Sequence, residues 1–302
     1  MMSSIPFIGE AAALGAAMCW TVTAMAFESA GKKVGSLQVN LIRLVIAFFF
    51  LSAFSFFMNG FFIPLNIDSN SWMLLLLSGL IGFVIGDLLL FQALVVVGAR
   101  ISMLLMTMAP VFTAVLGWMM LGESLSIQAV AGMCVTIAGV VFVISGKRVK
   151  ESRPVTKAGI LLGLGGAFGQ AAGLILSKMG MKDYSAVSST QIRVIAGIIG
   201  FSLIFTVLKR WNLIFDAVKH IPAMKRITTG AFFGPFMGVS FSLLAVQHTH
   251  AGIAATLMSI TPVLIIAPSR FIFKEKITFR EITGAFIAFC GVALMFLSGV
   301  VE

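Results

Sequence analysis

Pro110–Glu123 reads PVFTAVLGWMMLGE, and Pro262–Glu275 reads PVLIIAPSRFIFKE. Each copy opens on Pro-Val, continues as an apolar helix and ends on a Glu 13 positions after the Pro. The same shift of 152 lays Gly82 on Gly234, Gly86 on Gly238, Ala93 on Ala245, Met106 on Met258, Gly132 on Gly284 and Gly139 on Gly291. One constant offset over so much sequence marks an internal repeat, so one unit has been written twice.

Composition decides the solvent of that unit. Of 302 residues, 59% are hydrophobic and 11% charged, with a mean hydropathy of +1.08. So little polar surface cannot cover a water-soluble globule, and the chain reads as an all-α integral membrane protein. The net charge of +10 does not point to nucleic acid, because nearly all the basic residues fall in short gaps between apolar runs. Membrane orientation and anionic headgroups account for charge placed there. Cys19, Cys134 and Cys290 lie inside apolar runs and read as small hydrophobes, with no disulfide framework. The first run follows MMSSIP, which lacks a basic n-region, so it is expected to be a retained helix.

Ten apolar runs are each long enough to cross a hydrocarbon core of ~30 Å, which takes roughly 20 residues. They cover residues 7–27, 37–58, 72–97, 101–121 and 127–145, then 158–177, 188–208, 227–247, 253–273 and 282–298. The basic segment GKRVKESRPVTK separates the two groups of five. The expected organisation is a first five-helix repeat over 1–146, a linker over 147–157 and a second repeat over 158–302. Between the seventh and eighth runs, WNLIFDAVKHI is amphipathic enough to lie on a membrane surface. An odd number of spans per repeat forces the second copy to enter from the opposite side, which predicts ten transmembrane helices as two inverted five-helix repeats. The loops after the odd-numbered spans, together with Arg270 near the end of the ninth, hold all the Lys and Arg except Arg43, Arg193, Lys178 and Lys182. The positive-inside rule then puts both termini outside the cytoplasm.

Each half also carries, in the same order, an Arg early in its second span (Arg43, Arg193), a Gly-x-x-x-Gly third span ending near Ala93 or Ala245, and the Pro-Val-to-Glu stretch. That order, in two copies over almost the whole chain, resembles the EamA-type drug/metabolite transporter superfamily. The resemblance implies a ten-helix transporter of small metabolites in the inner membrane, with spans 1, 3, 4, 6, 8 and 9 around a central cavity. Members of that superfamily are usually drawn with cytoplasmic termini, opposite to the reading of the loop charges.

Depth in the spans singles out the candidate site residues. Asp87 lies roughly ten residues from the nearer end of its span, about 15 Å at 1.5 Å per residue, and is the only carboxylate deep in an apolar run. An acid there is a functional candidate by default, either as a proton carrier or as half of an ion pair with Arg43 or Arg193. The two Arg residues are near enough to the span ends to snorkel, which gives them a structural role; with an anionic substrate they become its first candidate ligands. Pro110 and Pro262 each free the carbonyl four residues earlier, that of Met106 or Met258. A kink is expected at each, serving either helix packing or a cavity wall. Glu123 and Glu275 at span ends suit a structural role on the amides of the next helix.

Gln170 shares a helix face with several glycines, and Trp20 and Thr23 lie at similar depth in the matched first span. With Met106 and Met258 they are the candidates for a substrate cavity, and interhelical hydrogen bonding is the competing role for Gln170. The small-residue ridges Ser78/Gly82/Gly86, Gly165/Gly169/Gly173 and Gly230/Gly234/Gly238 favour close helix packing in lipid, or a sliding surface. No cofactor or metal is expected: the His248-Thr249-His250 turn has no companion ligands. No deep Ser-His dyad, paired Asp or H-E-x-x-H helix suggests an enzyme. The expected function is secondary transport of a small organic metabolite, such as an amino acid, with Asp87 as the proton-coupling candidate. A multidrug exporter of cationic or aromatic compounds and, further off, a channel are the alternatives. The expected partners are the small-molecule substrate and the lipid bilayer, and the expected state is a monomer.

Overall fold

A computed structural model describes residues 7–64, 66–122, 126–145, 155–181, 184–248, 254, 257–271 and 277–296. Glu123, Glu275, Thr249, His250 and most of the linker lie outside the described residues, as do the side chains at 59, 121, 246 and 296. The described residues form helices joined by turns and loops, without strands.

In the first repeat, α1 is Ile8–Val34 and α2 is Ser36–Asn59. α3 runs as Ser69–Gly79, a π-helical segment Leu80–Gly86 and Asp87–Val96. α4 is Ala99–Met106 followed by Met108–Leu121, and α5 is Ile127–Ile144. In the second repeat, α6 is Lys157–Met181 and α7 is Ala186–Leu208, and the short α8, Trp211–Lys219, fills the long loop. α9 runs as Ile221–Ala231, a π-helical segment Phe232–Gly238 and Val239–His248. α10 is the pair Thr261–Leu264 and Ile266–Phe271, and α11 is Phe279–Phe296. Eight of these helices are long and apolar enough to cross a membrane. α10 and α11 correspond to the ninth and tenth expected spans, which are described only in part.

Local chemistry sets the boundaries. Gly35 alone turns the chain between α1 and α2, and Gly98 with Val97 between α3 and α4; at φ 91° and 86° both glycines adopt a conformation open to glycine and costly for other residues. Side chains at the N-caps satisfy free backbone amides: Asp68 accepts from Ser71 N, Ser126 from Ala129 N and Ser185 from Ser188 N. His220 Nδ1 does the same for Ala223 at the start of α9, where Pro222 occupies the first turn. The eighth span therefore begins at Ile221, six residues before the apolar run read from the sequence. α1 likewise continues past Glu28 to Val34.

The repeats interlock across their boundary. α6 packs against α3, and α1 packs against α9; α2 pairs with α7, and α5 with α11. First span on third span, second on second and fifth on fifth is the pattern that a pseudo-two-fold axis between the repeats produces. Glycine allows the close approaches. A Cβ at Gly169 would sit 2.5 Å from Gly86 Cα, one at Gly173 2.9 Å from Gly82 Cα, and one at Gly139 2.6 Å from Ala288 N. With lipid outside, such van der Waals contact between backbones drives the association.

Candidate functional site

Both π segments fall at the same place in their repeats, since a shift of 152 carries Leu80–Gly86 onto Phe232–Gly238. Single π turns inside helices recur at functional sites, because they disturb the regular hydrogen-bond ladder and re-aim the side chains beyond them. Asp87 is the first residue beyond the segment in α3 and is only 4% exposed. Its carboxylate pairs with Arg43 of α2 through Oδ2. Its other oxygen, Oδ1, accepts from Gln170 Nε2 of α6 at 2.5 Å. The same Gln170 nitrogen lies 3.3 Å from the Gly82 carbonyl oxygen inside the π segment.

Asn40, one helical turn before Arg43, completes the group. It accepts from Arg43 Nε at 3.2 Å and donates to the Asp87 main-chain carbonyl at 3.3 Å. The Arg43 guanidinium carbon also lies 4.4 Å from the ring centre of Phe91 and 5.6 Å from that of Phe27, so aromatic faces share its charge. A buried ion pair survives desolvation only with such supplementary bonds.

Arg193 of α7 approaches the same place from the second repeat. It is 4% exposed, and its guanidinium carbon stands 4.7 Å from the ring centre of Phe83, whose centre is also 5.9 Å from that of Arg43. Its Nε has no hydrogen-bond partner, and among the described residues it forms no ion pair. The group therefore holds two guanidiniums and one carboxylate. Arg43, Asn40, Phe83 and Asp87 come from the first repeat, Gln170 and Arg193 from the second. Neither Arg snorkels: each sits eight residues into its helix, and its head turns inward to aromatic rings.

The other sequence candidates do not converge with this group. Thr23 sits in the α1–α9 seam, its Oγ1 3.5 Å from the Gly230 carbonyl oxygen. Trp20 joins the apolar cluster that contains Phe83 and Val239. Met106 packs between two other apolar clusters, and Met258 packs among Ala12, Ala13 and Ala245. The helices are interrupted just ahead of each Pro, at Thr107 and at Ser259-Ile260. The Met258 carbonyl, which Pro262 deprives of its usual donor, accepts from Thr261 Oγ1 at 2.8 Å. A cavity with room for about one water, ≈ 20 Å³, lies beside Pro262. The role expected of Glu123 and Glu275, both outside the described residues, is played by Glu28, whose Oε2 accepts from the Ala99 amide at the start of α4 at 2.8 Å.

Asn40 and Phe83 were not among the sequence candidates. Asn40 had a visible signal, a polar residue three before Arg43 on one helix face. Phe83 had none, because phenylalanine is ordinary in lipid-facing helices. Among the described residues, no cluster of three His, Cys, Asp or Glu could hold a metal.

Bonds between the repeats tie both ends of the bundle. At the end rich in basic loops, Arg100 of α4 pairs with Glu281 of α11 at 2.6 Å, and Arg280 donates to the Phe142 carbonyl and to Ser145 Oγ. At the opposite end Tyr184 bonds Asp68 at 3.1 Å, and Gln191 donates to Ser52 Oγ at 2.8 Å.

Comparison with known proteins agrees with this architecture. The chain is 24% identical over 294 residues to a protein of Archaeoglobus fulgidus described as an uncharacterized transporter, with 94% of this chain and 96% of that one covered. A solved crystal structure superposes with a TM-score of 0.65 at 16% identity, covering 97% of this chain and 98% of the other, a likeness of fold alone. The family model described as EamA-like transporter family matches twice, over residues 7–145 and 157–297. Two matched repeats, an all-helical fold and helices apolar enough for a bilayer make this multi-pass membrane protein a member of the EamA-like transporter family.

Proposed function

We propose that this chain is a secondary carrier that moves a small organic metabolite, an amino acid or a solute of similar size, across the inner membrane by alternating access. The observation that carries this reading is the polar group on the repeat boundary: Arg43 and Asp87 on one side, Gln170 and Arg193 on the other. Rocking of one repeat against the other would part these residues and expose their hydrogen-bonding capacity to a solute, the behaviour expected of inverted-repeat carriers. A binding group with two guanidiniums and one carboxylate disfavours cationic drugs as substrates. Trp20, Met106, Met258 and Gln170 remain candidates for contact with the solute in an open state, with Pro110 and Pro262 allowing the helices around it to bend.

Asp87 is the candidate for proton coupling, since protonation would release it from Arg43. The loop charges favour extracytoplasmic termini. Reconstitution into liposomes tests the carrier reading: saturable uptake with counterflow exchange is expected, whereas an unsaturated ion current would replace it with a channel. For the coupling role, Asp87→Asn transport with an unchanged pH dependence would count against Asp87.

A further inference from the structure

Arg193 is a buried cation without a counter-ion of its own. Removing a guanidinium from water is expensive unless a charge and hydrogen bonds compensate it. Arg43 has both, from Asp87 and Asn40. Arg193 has the face of Phe83 and an Nε with no partner. It stands beside the α3–α6 seam: a Cβ at Gly82 would lie 3.2 Å from Arg193 Nη2 and 3.6 Å from Gly173 Cα. That seam carries the Gln170 bond to Asp87 and the π segment of α3.

Parting the repeats would take Gln170 and Arg193 away from Asp87 together, leaving Arg193 with no negative charge near it. We propose, building on the carrier reading, that Arg193 is the substrate's anchor and binds a carboxylate group of the transported solute. The planar guanidinium offers paired N–H donors that match the two oxygens of a carboxylate, a stronger and more directional grip than a neutral amide can make. The apolar remainder of the solute has its place beside Phe83, whose ring centre stands 4.7 Å from the guanidinium carbon, and the apolar cluster to which Phe83 belongs. The matching seam between α1 and α9 has no equivalent group: Gly238 meets Trp20 where Gly86 meets Gln170, and Val239 takes the place of Asp87. The anchor is therefore single, and the solute carries its carboxylate at one end.

The test uses the full chain in lipid nanodiscs and thermal melting, which a ligand of the folded state raises. The probes are lactate, leucine, phenylalanine and phenylacetate, each against its own amide, on wild type, Arg193→Gln and Arg193→Lys. At least one carboxylate is expected to raise the wild-type melting temperature while its amide does not. Arg193→Gln should weaken that response about tenfold or more, and Arg193→Lys should keep a reduced one. Without probe, Arg193→Gln should melt no lower than wild type, because it removes a buried charge whose nearest carboxylate, Asp87, is already paired with Arg43. The proposal is overturned if amides act as well as carboxylates, if no carboxylate acts, if Arg193→Gln responds fully, or if Arg193→Gln alone lowers the melting temperature, as a structural strut would. These readouts require binding only, so they fail independently of the liposome assay that judges the carrier reading.

Discussion

Gln170 and Asp87 are joined across the repeat boundary by a 2.5 Å hydrogen bond, while in the other seam Gly238 meets Trp20 where Gly86 meets Gln170, and Val239 takes the place of Asp87. The backbone repeats and the chemistry does not. A duplicated scaffold has kept its glycines and π segments in both copies and has concentrated its buried polar groups at one of the two seams.

Asp87 and Arg43 are mutually dependent. Asp87→Leu or Arg43→Met alone leaves a buried charge without its partner and should cost about 3–5 kcal/mol, a loss that the double variant Asp87→Leu/Arg43→Met should largely recover. Melting of the four proteins in one detergent gives the cycle; equal and additive losses would show that the two groups act separately.

Gly169 sets the distance between α3 and α6. Gly169→Ala drives a methyl group against the Gly86 backbone and should cost about 1–3 kcal/mol and slow transport. Gly165→Ala, whose added carbon would meet only the Leu89 Cδ1 end at 2.8 Å, should cost less. A reversed order in melting temperature would show that the seam is not packed in this way.

The Arg100–Glu281 pair closes the basic end between the repeats. With both side chains largely buried, the pair is worth more than an exposed one, so Arg100→Gln should lower stability measurably, by about 1 kcal/mol or more. Cysteines at these two positions joined by a short cleavable crosslinker, with the native cysteines replaced by Ala, should stop transport, and cleavage should restore it. Undiminished transport in the crosslinked protein would rule out motion at this end.

A cysteine placed at Lys150 reports which side the basic loops face. It should react with a membrane-impermeant maleimide only after the membrane is opened. Labelling of intact cells from outside would reverse the orientation drawn from the loop charges.

Much of the fold was legible because hydropathy and the constant offset are properties of the chain itself. The depth of Asp87 was legible for the same reason, and so was the interior face of Gln170. Their meeting was not, since it depends on α6 of one repeat lying on α3 of the other, a tertiary fact that no local pattern records. Arg43 and Arg193 were misread for a related cause. Distance from a span end permits snorkelling, but Phe27, Phe83 and Phe91 offer an alternative that only packing brings within reach. The π segments were hidden as well, because their residues are as apolar as any helix and the second tolerates Pro235 in its interior.

A π segment closes its hydrogen bonds over one residue more than an α-helix does, so everything beyond it is set about 100° further round the helix axis. In α3 the first residue beyond is Asp87, and in α9 it is Val239. Were the segment to relax into α-helix, Asp87 would swivel away from Arg43 and Gln170 with no helix needing to tilt. Each repeat thus contains a built-in swivel at the depth of the polar group, and only one of the two carries a charge to turn.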